Sequence, residues 1–163
     1  MWLDDSSLSN LADAERACNK APRCAVDYQS RLSGPLLDRF DMMIDMPAVP
    51  TLDMLASEQG EDSRTVAKRV ATARERQKER AGKLGLNVRT NAALAGETLQ
   101  AAVPLRADAS ALLQEATEKM RLSMRGYTRV LRVARTIADL SESEGVERAH
   151  VAEALSYRQQ IVG

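Results

Sequence analysis

Arg125, Arg129, Arg132 and Arg135 follow one another at spacings of four, three and three, which gathers them on one side of an α-helix. A guanidinium is always charged and offers a planar fork of donors, so such a stripe suits a cluster of phosphate oxygens. Solvated surface arginines account for the same pattern, since Arg is a good helix former, and the spacing alone leaves both readings open. Other candidates for chemistry are sparse. His150, the only histidine, falls on a predicted terminal helix and reads as a surface residue. Cys18 and Cys24, the only cysteines, make at most half of a zinc site and read as reduced thiols. A phosphate loop of the form G-x-x-x-x-G-K-[ST] is absent, because Gly82-Lys83 is followed by Leu84 and lacks a glycine at the required offset. The carboxylates are scattered along helices that are also rich in Lys and Arg, which fits surface ion pairs better than a general acid and base. The chain is not expected to hold an active site of its own.

The elements that would carry these residues are mostly helical. Ser33-Gly34-Pro35 punctuates an irregular first third, and Met42 to Met46, closed by Pro47 and Pro50, reads as one buried strand. A lone strand leaves its backbone groups unpaired, and no second strand is evident. Beyond Pro50 the pattern is helical. Asp62 and Ser63 are capping residues for a helix over Arg64 to Ala81, with Gly82 placed for a left-handed stop. Val66, Val70 and Ala73 give that helix a narrow apolar seam, against eight basic and two acidic residues between Arg64 and Lys83. Short helices are predicted over Asn91 to Ala95 and Leu99 to Val103, broken at Gly96 and Pro104. Asp108 caps a segment with Leu112, Leu113, Ala116 and Met120 on one side, and Ser123 caps the next, Met124 to Ser141. There Tyr127, Val130, Leu131, Ala134, Ile137 and Ala138 form one face and the four arginines the other. Glu147 to Arg158 is the last helix, with Val151, Ala154 and Leu155 inward.

Composition agrees. Aromatic residues are 3 % and charged residues 28 %, with 23 basic and 23 acidic side chains, a balance that nearly excludes an all-β protein. A formal net charge of zero also argues against a chain that coats nucleic acid along its whole length. No stretch approaches a membrane span and no leader is evident at Met1 to Asn10, so the expected location is the cytoplasm, with no membrane partner.

Four segments together carry a family resemblance. Arg31-Leu-Ser-Gly-Pro-Leu-Leu-Asp-Arg-Phe-Asp41 with the following Met42 to Met46 and Pro47 resembles the segment that closes the ATPase core in the magnesium-chelatase-like AAA+ proteins, the ComM or YifB family. Ala73-Arg-Glu-Arg-Gln-Lys-Glu-Arg80, the run from Ser123 to Leu140 and His150-Val-Ala-Glu-Ala-Leu-Ser-Tyr-Arg158 resemble the same family in the same order. The implied fold is mainly α: a helical AAA+ lid-type bundle over residues 51–163, preceded over residues 1–50 by a partly disordered remnant of the α/β ATPase core. By the resemblance, Arg39 corresponds to the arginine finger that reaches a γ-phosphate held by the neighbouring subunit. Arg125 corresponds to the second sensor arginine at the head of a lid helix, and Arg132 is a weaker nucleotide contact on the same face. A structural ion pair with Asp38 or Asp41 is the plain alternative for Arg39, and Arg129 and Arg135 are expected in helix-surface or interface roles.

The resemblance further implies ATP and Mg²⁺ in the full-length context, with none expected for this chain alone. The implied partners are an AAA+ core and neighbouring subunits of a hexameric ring, whose cargo by resemblance is either DNA, as in the ComM branch, or a metal for insertion, as in the chelatase branch. A truncated or separately encoded C-terminal fragment would explain the orphan strand, the missing phosphate loop and two cysteines deprived of partners. A free-standing, non-enzymatic helical protein- or DNA-binding module is the competing reading, built on the same basic faces.

Overall fold

The protein was analysed as a computed structural model that describes residues 39–44 and 60–158. The chain divides after Gly60 into two units, and residues 61–158 are described as one of them. Five α-helices form it: α1 (Ser63–Lys83), α2 (Gly96–Ala102), α3 (Ala107–Lys119), α4 (Met124–Leu140) and α5 (Arg148–Ser156), with a 3₁₀ turn at Asn91–Ala93. The expected mainly helical class is what these residues adopt.

Helix boundaries follow from local chemistry. Asp62 caps α1 by accepting from the Thr65 backbone N–H at 2.8 Å, and Ser123 caps α4 through the Gly126 N–H at 3.0 Å. α1 runs on through Gly82, and its left-handed stop is Gly85 (φ 65), with the Gly85 N–H on the Gly82 carbonyl and the Leu86 N–H on that of Ala81. Gly96 does not break a helix; at φ 51 it opens α2, whose start is tied by Thr98 Oγ1 to both backbone groups of Ala95. Asp108 lies inside the first turn of α3, behind Arg106 as the capping position. Acidic charge in that turn still suits the helix dipole.

The core gathers Leu99, Leu113, Val130, Leu131, Val146 and Val151, all nearly or fully buried, around Ala109, Ala134, Ala138 and Ala154. The small residues let α5 approach both α3 and α4 closely, and α4 also meets α1 and the 3₁₀ turn, so it is held on several sides. Leu105 and Val146 form a parallel bridge, fixed by the Arg106 N–H on the Val146 carbonyl and the Val146 N–H on that of Pro104. That bridge joins the entries of α3 and α5.

Two expectations change. The buried strand is not found at residues 42–44, where Met42 and Ile44 are exposed and no ladder forms; Asp45 and Met46 lie outside the described residues, as do Cys18 and Cys24. The seam of α1 is also different. Val66 and Val70 are exposed, and the helix packs through Ala73, Gln77 and Ala81. The small Ala73 and Ala81 bring the α1 backbone close, with Gln77 buried between them.

Candidate functional site

α4 carries both predicted nucleotide contacts in this unit. Arg125 stands in its first turn, exposed, and its guanidinium has no ion pair or hydrogen bond among the described residues. Two turns on, Arg132 is half-buried and donates through Nε to the Leu94 carbonyl at 2.8 Å, pinning α4 to the 3₁₀ turn. Seven residues separate them, about 10 Å along one face of the helix. Arg39 lies in the other unit, exposed at a turn beside half-buried Phe40. Arg129, on the same helix, is partly buried and not free of partners.

Arg135 does not belong to the exposed stripe. It is fully buried, with Nη1 and Nη2 donating to the carbonyls of Glu144 and Ser143 at 2.8 and 2.7 Å and Nε to Asp139 Oδ1 at 3.1 Å. Asp139, also fully buried, accepts from Arg80 Nη1 and Nη2 at 2.7 Å each and from Asn91 Nδ2 at 2.9 Å. Asn91 Nδ2 also reaches Thr136 Oγ1 at 3.0 Å. Burial by itself would raise the Asp139 carboxyl, but the bonds from Arg80 and Asn91 and the charges of Arg135 and Arg80 outweigh it and hold the group below its usual value. Burial likewise pulls the Arg135 guanidinium down, opposed by Asp139, and it stays charged. This network clamps α1, the 3₁₀ turn and the loop after α4 to one helix. The signal was present in the spacing: Leu131, Arg135 and Asp139 recur every four residues, so the arginine shares the packing side.

His150 is likewise buried rather than on the surface. Its Nδ1 accepts the Glu147 backbone N–H at 3.1 Å, which places the ring proton on Nε2 and closes the start of α5. Among the described residues no three His, Cys, Asp or Glu side chains gather where they could hold a metal ion. None of the helices is long and apolar enough to cross a membrane, among the described residues. A cleft of about 260 Å³ beside α1 sets Arg76, Arg80 and Lys83 against Glu79 and Glu144. Arg80 is spent on Asp139 and Arg76 donates to the Glu142 carbonyl at 2.8 Å.

A helical unit with its arginine helix pinned by a buried ion network defines a class that sequence comparison makes explicit. The family model described as magnesium chelatase, subunit ChlI C-terminal, matches residues 60–158, and the one described as magnesium chelatase, subunit ChlI, matches residues 3–54. The chain belongs to the magnesium chelatase ChlI family. Among its relatives, competence protein ComM of Haemophilus influenzae is 39 % identical over 142 residues, covering 86 % of this chain and 27 % of that protein. Protein YifB of Salmonella typhimurium is 42 % identical over 139 residues, covering 84 % and 26 %, and YifB of Escherichia coli is 40 % identical over the same length. The chain thus spans about a quarter of the length of these relatives.

Proposed function

We propose that this chain supplies the helical lid and the arginine finger of a nucleotide-driven AAA+ ring, acting on ATP held largely by other parts of the assembly. One observation carries the reading. Arg125 holds an uncommitted guanidinium at the N-terminal turn of a helix whose other side is locked in place, and that end of a helix also favours anions through its dipole. The pair fits a nucleotide phosphate. Bound ATP with Mg²⁺ supplies the phosphoryl group and part of its charge neutralisation; the residues of this chain orient and stabilise it. Arg39 would meet the charge that develops as a neighbouring subunit's γ-phosphate is transferred. Arg132, with Nε given to Leu94, is the weaker contact. We take DNA as the cargo of the ring, met through phosphates by the exposed Arg64 and Lys68 of α1.

The test is a chimaera in which this chain replaces the corresponding quarter of the Haemophilus relative. The chimaera should hydrolyse ATP, whereas the chain alone should not. Arg39→Ala should leave nucleotide binding nearly unchanged and lower turnover by about 10³-fold or more, on the scale of arginine fingers. Arg125→Ala should weaken nucleotide binding. Full turnover in the Arg39 variant, or ATP hydrolysis by the isolated chain, overturns the assignment.

A further inference from the structure

The first ten residues of α1 form an arm on which, among the described residues, nothing packs: every residue from Glu61 to Thr72 is exposed. Yet its sequence is not that of a solvated helix. Val66, Val70, Ala73, Gln77 and Ala81 recur at spacings of four, three, four and four, so the stripe through which α1 packs continues past the end of its own bundle. β-Branched residues are costly choices on a bare helix, where Ala, Glu or Lys would serve better, and they are suited to a position that is covered. The borders of this stripe are cationic, with Arg69 and Arg76 on one side and Arg74 on the other, while Glu75 and Glu79 fall on the opposite face. A carboxylate already occupies one of these borders: Glu61 makes a two-pronged pair with Arg69 at 2.9 and 3.0 Å.

We propose that the exposed half of α1 is a docking surface for an acidic amphipathic helix of a protein partner, whose apolar residues cover Val66 and Val70 and whose carboxylates meet Arg69 and Arg74. A second copy of this chain would bring cations against cations, and phosphates alone would leave the valines uncovered. The seam geometry is that of two helices sharing knobs and holes, with charges beside the seam choosing the partner. The inference does not depend on nucleotide contacts by Arg39 or Arg125.

The probe is a labelled peptide of about three heptads with Leu along its seam and Glu beside it, compared with a twin in which Lys replaces each Glu. With the full chain, fluorescence anisotropy should show saturable binding of the acidic peptide, at least about tenfold tighter than of the basic twin and weakened by added salt. Combined Val66→Gln and Val70→Gln should weaken that binding by about tenfold, from the apolar area left uncovered. Gln is the better helix former, so circular dichroism and Tm should confirm an intact fold in the variant. Equal binding of the two peptides, binding indifferent to the valine changes, or no saturation by about 0.1 mM overturns the proposal.

Discussion

Removing the Asp139 carboxylate should be among the most damaging single changes this unit can suffer. It is the shared acceptor for Arg80, Asn91 and Arg135, and Arg135 has no exposure to water through which to recover solvation. Asp139→Ala therefore strands a buried cation, and urea unfolding should register a loss of about 3–5 kcal/mol. The same group sets an acid limit. Unfolded, Asp139 titrates near 3.8 and folded it titrates lower, so between the two the unfolded chain binds the additional proton and stability falls as pH is lowered. Stability measured from pH 6 to pH 2 should drop through that window, and in Asp139→Asn this part of the drop should vanish. At this scale the sequence was only half legible. Arg125 stands exposed as its position in the stripe suggests, whereas Arg135 and His150 are buried polar residues, and a hydropathy pattern ranks them as surface because it cannot see which partner will satisfy them.

Helix ends were easier to read than helix faces, because caps are local. Ser123, Asp62 and the interiors of α3, α4 and α5 follow from residue type and period. The packing stripe of α1 did not, since hydropathy weights valine above alanine and glutamine while close approach of two backbones favours the small side chain. Three helices end in the same left-handed turn, at Gly85, Arg121 and Glu142 with φ of 65, 48 and 57. Only the first uses glycine. In each, the residue at positive φ donates to the carbonyl three before it, and its successor donates to the carbonyl five before itself, as with Leu122 on Thr117 and Ser143 on Ala138. A side chain at that dihedral costs about 1–2 kcal/mol, partly offset by the freedom glycine has when unfolded. Arg121→Gly should thus stabilise by about 0.5–1 kcal/mol and raise Tm by about 3–6 °C. Gly85→Ala should act in the opposite direction, although a Cβ there meets no neighbour, because the penalty lies in the backbone alone. A drop in Tm for the first or a rise for the second would contradict this account of the stops.

On the scale of the molecule, the aromatic-poor composition and helical periods were enough to fix the class, while the placement of the candidate arginines relative to one another was not legible. Arg39 and Arg125 lie in separate units, and the relatives this chain matches are about four times as long as it is. Autonomy of the helical unit is a separate matter, and the structure bears on it directly. The core of residues 94–155 is continuous, the Asp139 network reaches back to Arg80, and the C-terminal family model begins at residue 60. A unit of about 100 residues with its own apolar core and a buried Asp139 network whose members all lie within it meets the requirements for folding alone. Residues 60–158 produced by themselves should therefore melt in one cooperative transition, with helical circular dichroism and a Tm within about 5 °C of the helical transition of the whole chain. Asp139→Ala should lower that transition by the same free energy in both forms, since every partner of Asp139 lies within the excised piece. A broad, non-cooperative melt of residues 60–158, or a cost of Asp139→Ala that differs between the two by more than about 1 kcal/mol, would show that the unit borrows stability from the first sixty residues.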